Sequence, residues 1–378
     1  RPGLLYLGTE NILYVSFNDG DDWQPLMNNM PVSPMYGIEV QEHFNDLVIA
    51  TYGRGFWILD DITPLQQLTA DVVASSFHLF SPRDAYRFRP RTQARNFPND
   101  QSDGENPPSG ASINYWLNSA QAGGVTLRIA NASGQTIRTL RGLGQAGINR
   151  VWWNLQDEAS PAITLRTKPL YADWYDLGPE RTRPGAGGLS MVVQPGTYTV
   201  TLEVDGQTHT QDLRVLKDPN SSGTEADIRE QLVTFSEIRE DHEEVADMVN
   251  RIEWIRRQLY DLDAVLESRG DASDILTASA ELDDRLLAVE DNLIRLITAG
   301  GDGTRWAPKL IEELRYLSGN IMNGDFRPTD QAREVQGILH ERVVRYGAEV
   351  DQVLQEDVAA FNQRLLARNL APLISDME

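Results

Sequence analysis

Histidine and cysteine set the limits of the chemistry this chain can do. There are five histidines, at positions 43, 78, 209, 242 and 340, and no cysteine. Without thiols there is no disulfide, no thiolate nucleophile and no zinc–thiolate site. The histidines stand in no HExxH spacing, and the chain carries neither a GxSxG nucleophile elbow nor a phosphate-binding glycine loop. His242 falls on an apolar helical stripe, and His340 on another helix could face it, with Glu243 or Glu341 as carboxylate neighbours. The Glu-x-x-His pattern of metal-binding bundles is missing, because Glu237 and Glu240 precede His242 at other spacings and Gly337 stands three before His340. Buried, hydrogen-bonded or surface histidines are therefore expected, with no metal, no cofactor and no catalytic residue assigned.

Residues that could bind rather than react fall in four places. Asn18, Asp19, Asp21 and Asp22 offer clustered oxygens that could ligate calcium, although the same residues build a tight turn. Arg54 sits between Gly53 and Gly55, whose missing side chains would let a ligand approach; packing or an ion pair to Asp60 or Asp61 is the plainer account. Arg83, Arg87, Arg89, Arg91 and Arg95 interleave with Tyr86, Phe88 and Phe97. That pattern can hold anionic sugars, phosphates or nucleic acid by bidentate bonds and stacking, or simply neutralise acidic neighbours along an extended linker. Tyr171, Trp174 and Tyr175 could stack on a sugar ring, fill a partner's pocket, or pin their own loop. The ligand-binding candidates are Arg54, Arg87, Arg89, Tyr171, Trp174 and Tyr175.

The elements that must position them change character along the chain. Leu4–Gly8, Ile12–Phe17, Leu47–Thr51 and Phe56–Leu59 read as short strands separated by turn residues. Val125, Leu127 and Ile129 alternate with polar residues, Asn131 to Gly134 makes a turn, Ile137 and Leu140 resume the alternation, and Val151 to Trp153 opens a third strand. Asp205-Gly206 between two alternating runs predicts a hairpin. Between these strands, 156–194 reads as a proline- and glycine-rich loop insertion. From Ile228 to Leu266 apolar residues recur every three or four positions, which predicts one long helix beginning at a Thr224–Asp227 capping box. Further helices are expected at about 273–299, 308–323 and 329–369, joined by short loops as antiparallel neighbours.

Two stretches carry a family resemblance. Ser16-Phe17-Asn18-Asp19-Gly20-Asp21-Asp22-Trp23 resembles the Asp-box, with Ser16, Asn18, Gly20 and Trp23 as its structural positions; Asn18 and Asp22 depart from the family's Asp and Thr. The Gly124–Leu155 stretch and Pro195–Leu202 resemble the immunoglobulin-like repeat that follows the propeller in bacterial sortilin-type, BNR-repeat β-propeller proteins. Leu47–Asp61 and the NPPSGA-x-INYWL passage before the sandwich are similar to the same family. The resemblance implies an exported protein, periplasmic, cell-surface or secreted, often labelled glycosyl hydrolase on grounds of fold.

The expected fold is multidomain, β then α. It comprises partial β-propeller blades at 1–82, an arginine- and proline-rich linker at 83–110, an Ig-like β-sandwich at 111–217 with its 156–194 insertion, an antiparallel helical bundle at 224–369 and a tail at 370–378. Closing a propeller takes about four blades or more, and the N-terminal strands supply fewer, so missing N-terminal blades or a protein partner are expected to complete it. The net charge is −22, and from Thr224 onward there are 33 acidic against 17 basic residues. That balance speaks against nucleic acid as a partner. No apolar run is long enough for a transmembrane segment. The expected function is a non-catalytic binding or scaffolding module that recognises protein or carbohydrate. The alternatives are part of a sialidase-like glycoside hydrolase whose catalytic residues lie in other blades, or an accessory subunit docked, or an oligomer formed, through the helical bundle.

Overall fold

The computed structural model describes residues 1–88, 104, 106–170, 187–269, 271–297 and 306–375. N-terminal β-sheets give way to a C-terminal helical bundle. The chain divides into two units, Arg1–Glu158 with Val192–Ser221, and Ala159–Met191 with Ser222–Glu378.

The first unit opens with two three-stranded antiparallel sheets. One contains β1 (Leu5–Gly8), β2 (Leu13–Ser16) and β3 (Gln24–Pro25); the other contains β4 (Met35–Gln41), β5 (Asp46–Thr51) and β6 (Phe56–Leu59). Leu47 and Ile49, two apart on β5, share a face and meet Leu13, Met35 and Ile62 in one core. This is the packing that period-2 alternation requires. Short helices α1 (Thr63–Gln67) and α2 (Ala70–Ala74) follow, α1 beginning with Pro64 near its N-terminus, where a missing N–H costs nothing.

Two further sheets complete this unit. Strands β7 (Phe77–Leu79), β9 (Ala111–Leu117) and β12 (Gly147–Trp153) form one in the order β12-β9-β7. Strands β8 (Ala85–Arg87), β10 (Val125–Ala130), β11 (Thr136–Gly142), β13 (Gly196–Val204) and β14 (Gln207–Lys217) form the other, in the order β11-β10-β13-β14-β8. Ile113 and Tyr115 from the first sheet and Leu127, Ile129, Val200 and Leu202 from the second share one core. Asp205 and Gly206 take φ of +50° and +77°, the left-handed pair that turns β13 into β14. The linker expected from residue 83 begins instead as a strand: β8 pairs in parallel with β14, Ala85 opposite Val215 and Arg87 opposite Lys217. Alternate burial of Ala85 and Arg87 makes this possible in a stretch that reads as polar.

The second unit is built on α3 (Glu225–Leu266), 42 residues long. Its capping box is present: Thr224 N donates to Asp227 Oδ2 at 2.8 Å and Asp227 N to Thr224 Oγ1 at 3.1 Å. Helices α4 (Ser273–Leu293), α5 (Leu310–Ile321) and α6 (Asp330–Gln352) pack against it, and α7 (Ala359–Ala367) packs against α4. A π-helical turn at Val353–Val358 joins α6 to α7, where one long helix is expected from the sequence.

The insertion expected as a sandwich loop belongs in large part to this helical unit. Ile163, Leu165 and Leu189 are buried in its core with Phe235, Val249 and Ile252. Thr164 N donates to Asn250 Oδ1 at 2.8 Å, and Thr167 N and Oγ1 each donate to Glu253 at 2.7 Å. The apolar residues here are too sparse for a periodic signal, and the helix side chains satisfy the backbone of an otherwise irregular segment.

Candidate binding site on the N-terminal strands

The turn after β2 shows how the sequence builds a rigid corner. Ser16 Oγ accepts from Gly20 N at 2.9 Å and donates to Asn18 Oδ1 at 3.0 Å. Asn18 Oδ1 in turn accepts from Asp22 N at 2.9 Å, while Asn18 Nδ2 donates to Asp22 Oδ2 at 2.9 Å. Gly20 has φ of +96° and lies under the Trp23 ring. The side-chain oxygens of Ser16, Asn18 and Asp22 are thus engaged by one another and by the turn backbone. Among the described residues no group of three or more His, Asp or Glu is placed to hold a metal ion.

On the second sheet the strand at the open edge presents apolar side chains to solvent. In β6, Trp57 and Leu59 pack against the core and Phe56 and Ile58 point the other way, 78% and 59% exposed. Val48 and Ala50 lie opposite Ile58 and Phe56 on β5 and continue the same face. Tyr36 and Tyr52, 69% and 67% exposed, form an edge-to-face pair with centroids 5.5 Å apart. Solvated aromatic and branched side chains gathered in this way mark an interaction surface more often than chance exposure.

Arg54 lies at the tip of the β5–β6 hairpin. Gly53 and Gly55 flank it with φ of +75° and +72°, and its carbonyl accepts from Trp57 Nε1 at 3.0 Å. Its exposed guanidinium makes no ion pair to Asp60 or Asp61 among the described residues.

Asp61 is instead the strut at the other end of β6. It is 1% exposed and has φ of +54°. Its carboxylate accepts from Ser112 Oγ, from Asn114 Nδ2 at 2.8 Å and from Thr63 N at 3.2 Å. Its backbone N–H donates to Asp46 Oδ1 at 2.9 Å, and its carbonyl accepts from Arg150 Nη2 at 2.8 Å. A carboxylate so fully engaged is a structural acceptor rather than a base. Beside it lies a cleft of about 350 Å³, walled by Leu59, Ile62, Pro64 and Ile148 and edged by Asn28 and Arg150. Burial lowers the pKa of Arg150 against the pull of Asp61 and Asp60; burial, with Asp46 next, raises that of Asp60. Sequence reasoning passed over this cluster because its members lie far apart in the chain and match no motif.

The remaining expected residues are dispersed. Arg87 is fully buried, its Nε donating to the Val193 carbonyl at 3.0 Å, so it braces the five-stranded sheet from within. Arg89, Tyr171, Trp174 and Tyr175 lie outside the described residues. His242 is buried, with Nδ1 3.5 Å from Ser160 Oγ and its pKa lowered to about 4 by burial, then by Arg315. His340 does not face it; its Nδ1 meets Asp241 Oδ1 at 2.6 Å, and that bond raises its pKa.

The helical unit holds a second concentration of charge. Arg256, 2% exposed, reaches Glu290 Oε2 at 2.7 Å, Asp283 Oδ1 at 2.8 Å and Tyr260 Oη at 2.8 Å. Burial opposes its charge, and Glu290 and Asp283 overcome that opposition, so its pKa is raised. Glu290 Oε1 has no donor, and Glu253 is its carboxylate neighbour. Burial first, and then Glu253, push the Glu290 pKa well above its ordinary value against the pull of Arg256. Arg256, Glu253 and Glu290 are buried while Asp283 and Tyr260 reach the surface, and the guanidinium fills the place that a cation would take.

No family model, curated protein or solved structure matches this chain.

Proposed function

We propose that this chain is a non-catalytic recognition and scaffolding module that binds a protein partner through its N-terminal strands. The observation that carries this reading is the solvent-facing set Tyr36, Tyr52, Phe56 and Ile58 on one small sheet. Aromatic anchors are the residue types that dominate interface energies, and exposing them costs solubility unless a partner covers them. The engagement of the Asp61 carboxylate by Ser112, Asn114 and Thr63 fits a structural part better than turnover. The resemblance to propeller proteins adds that the partner is blade-like and the setting extracytoplasmic.

The test is site-specific photo-crosslinking in the native extract, with p-benzoylphenylalanine placed at Tyr36 or, as a control, at Val233, another exposed apolar residue on α3. The proposal expects discrete protein adducts from position 36 and few from position 233. Equal or absent adducts at position 36 would overturn it.

A further inference from the structure

The open side of β6 is more specific than an apolar patch. Thr51 N donates to the Gly55 carbonyl at 3.1 Å, which makes Thr51–Gly55 a hydrogen-bonded pair of the β5–β6 ladder. Bonded and non-bonded pairs alternate in an antiparallel ladder. Ile49–Trp57 and Leu47–Leu59 are then the next bonded pairs. The N–H and C=O groups of Phe56 and Ile58 therefore point away from β5, toward the side on which β6 has no paired strand among the described residues. The two residues with exposed side chains also hold the free backbone groups. Phe56–Leu59 contains none of the charges, prolines or bulges that normally blunt an edge.

The flanks carry opposite charge. Arg54, with no ion pair among the described residues, stands before the strand, and Asp60, half-buried and without a hydrogen-bond partner among the described residues although Arg150 and Arg83 lie within its field, stands after it. Five residues lie between them, and the six steps from one to the other span roughly 20 Å in extended chain, which is the length of an ordinary strand.

We propose that β6 receives an extended segment of the partner protein as an added antiparallel strand. The segment places apolar side chains opposite Phe56 and Ile58, a basic residue beside Asp60 and an acidic residue beside Arg54. Main-chain bonds supply affinity and alternate side chains supply selectivity, as in other strand additions. This proposal rests on the recognition reading above and specifies how the partner is held.

The probe is a capped seven-residue peptide that begins with lysine, ends with glutamate and alternates threonine with valine between them, threonine first, so that its valines fall opposite Ile58 and Phe56; it is titrated by fluorescence polarisation against the full chain. The expected result is saturable binding, slowed amide exchange at Phe56 and Ile58, and about tenfold weaker binding to the Ile58→Pro variant, which loses one edge donor. The Ile58 N–H makes no bond to β5, so that variant keeps the native ladder. A peptide with lysine and glutamate exchanged is expected to bind more weakly than the original. Absent binding, unslowed exchange at Phe56 and Ile58, or equal affinity for Ile58→Pro would overturn strand addition. Crosslinks at position 36 that persist in such a case would leave surface recognition standing without it, so the two failures are distinguishable.

Discussion

Arg256 Nη1 and Glu290 Oε2 lie 2.7 Å apart inside the helical unit, with the two side chains 2% and 0% exposed. A buried pair of this kind is costly to break from one side, because the remaining charge has neither water nor a partner. The Arg256→Met variant leaves Glu253 and Asp283 without their counter-ion. We expect it to destabilise the helical unit by about 3–5 kcal/mol, read as a lower urea midpoint of the helical circular-dichroism signal.

Glu290 also makes stability depend on pH. Its folded pKa lies well above the ordinary value of 4.5, so the folded chain keeps a proton that the unfolded chain has released. The contribution is whole below pH 4.5 and is lost as pH rises toward the folded pKa, at about 1.4 kcal/mol per pH unit. His242 acts at lower pH: with its pKa lowered from 6.5 to about 4, its contribution is present above 6.5 and lost as pH falls through that window. Urea midpoints of wild type and Glu290→Gln across pH 5 to 9 check the first effect. The variant, which imitates the protonated acid, is expected to show the flatter profile on the alkaline side.

In the sheet unit, Asp61→Ala removes the acceptor for Ser112 Oγ and Asn114 Nδ2, both buried. Leaving two such donors unsatisfied is expected to cost about 2–4 kcal/mol. Asp61→Asn, which tolerates the φ of +54° and keeps one acceptor oxygen, is expected to cost less. Thermal unfolding followed by tryptophan fluorescence compares the two.

Gly223 is a steric requirement. A Cβ there would sit 1.6 Å from the Asp325 carbonyl oxygen, a backbone atom that cannot yield by rotation. Gly223→Ala is therefore expected to displace the start of α3 and lower the urea midpoint of the helical unit. Gly319→Ala, inside α5 with nothing within 4 Å, serves as the sterically unhindered control and is expected to leave the midpoint unchanged or raise it.

Local patterns were legible where one short segment holds the whole signal. The stripe from Ile228 to Leu266, the Thr224–Asp227 box and the Asp205-Gly206 turn all state their structure within a few residues, and the structure places helix, cap and hairpin there. Strand β4 was missed because Gly37, Glu39 and Gln41 weaken its alternation; it forms by pairing with β5. The π-helical turn at Val353–Val358 leaves no periodic trace, since its neighbours continue the helical pattern. The Asp61 strut joins residues 46, 61, 112, 114 and 150, so only tertiary folding reveals it. At the candidate surface, Arg54 could be named from its flanking glycines, whereas the exposure of Phe56 and Ile58 could not: in sequence they look like any buried strand.

On the proposed reading, Phe56 and Ile58 serve binding and not folding. The most direct measurement is the crosslinking yield at position 36 in the native extract, in wild type and in the Phe56→Asp, Ile58→Asp double variant, with the thermal midpoint of each. Recognition through this face predicts that the variant loses the adducts while its stability changes by no more than about 0.5 kcal/mol, as surface substitutions do. Undiminished adducts, or a large loss of stability, would contradict it.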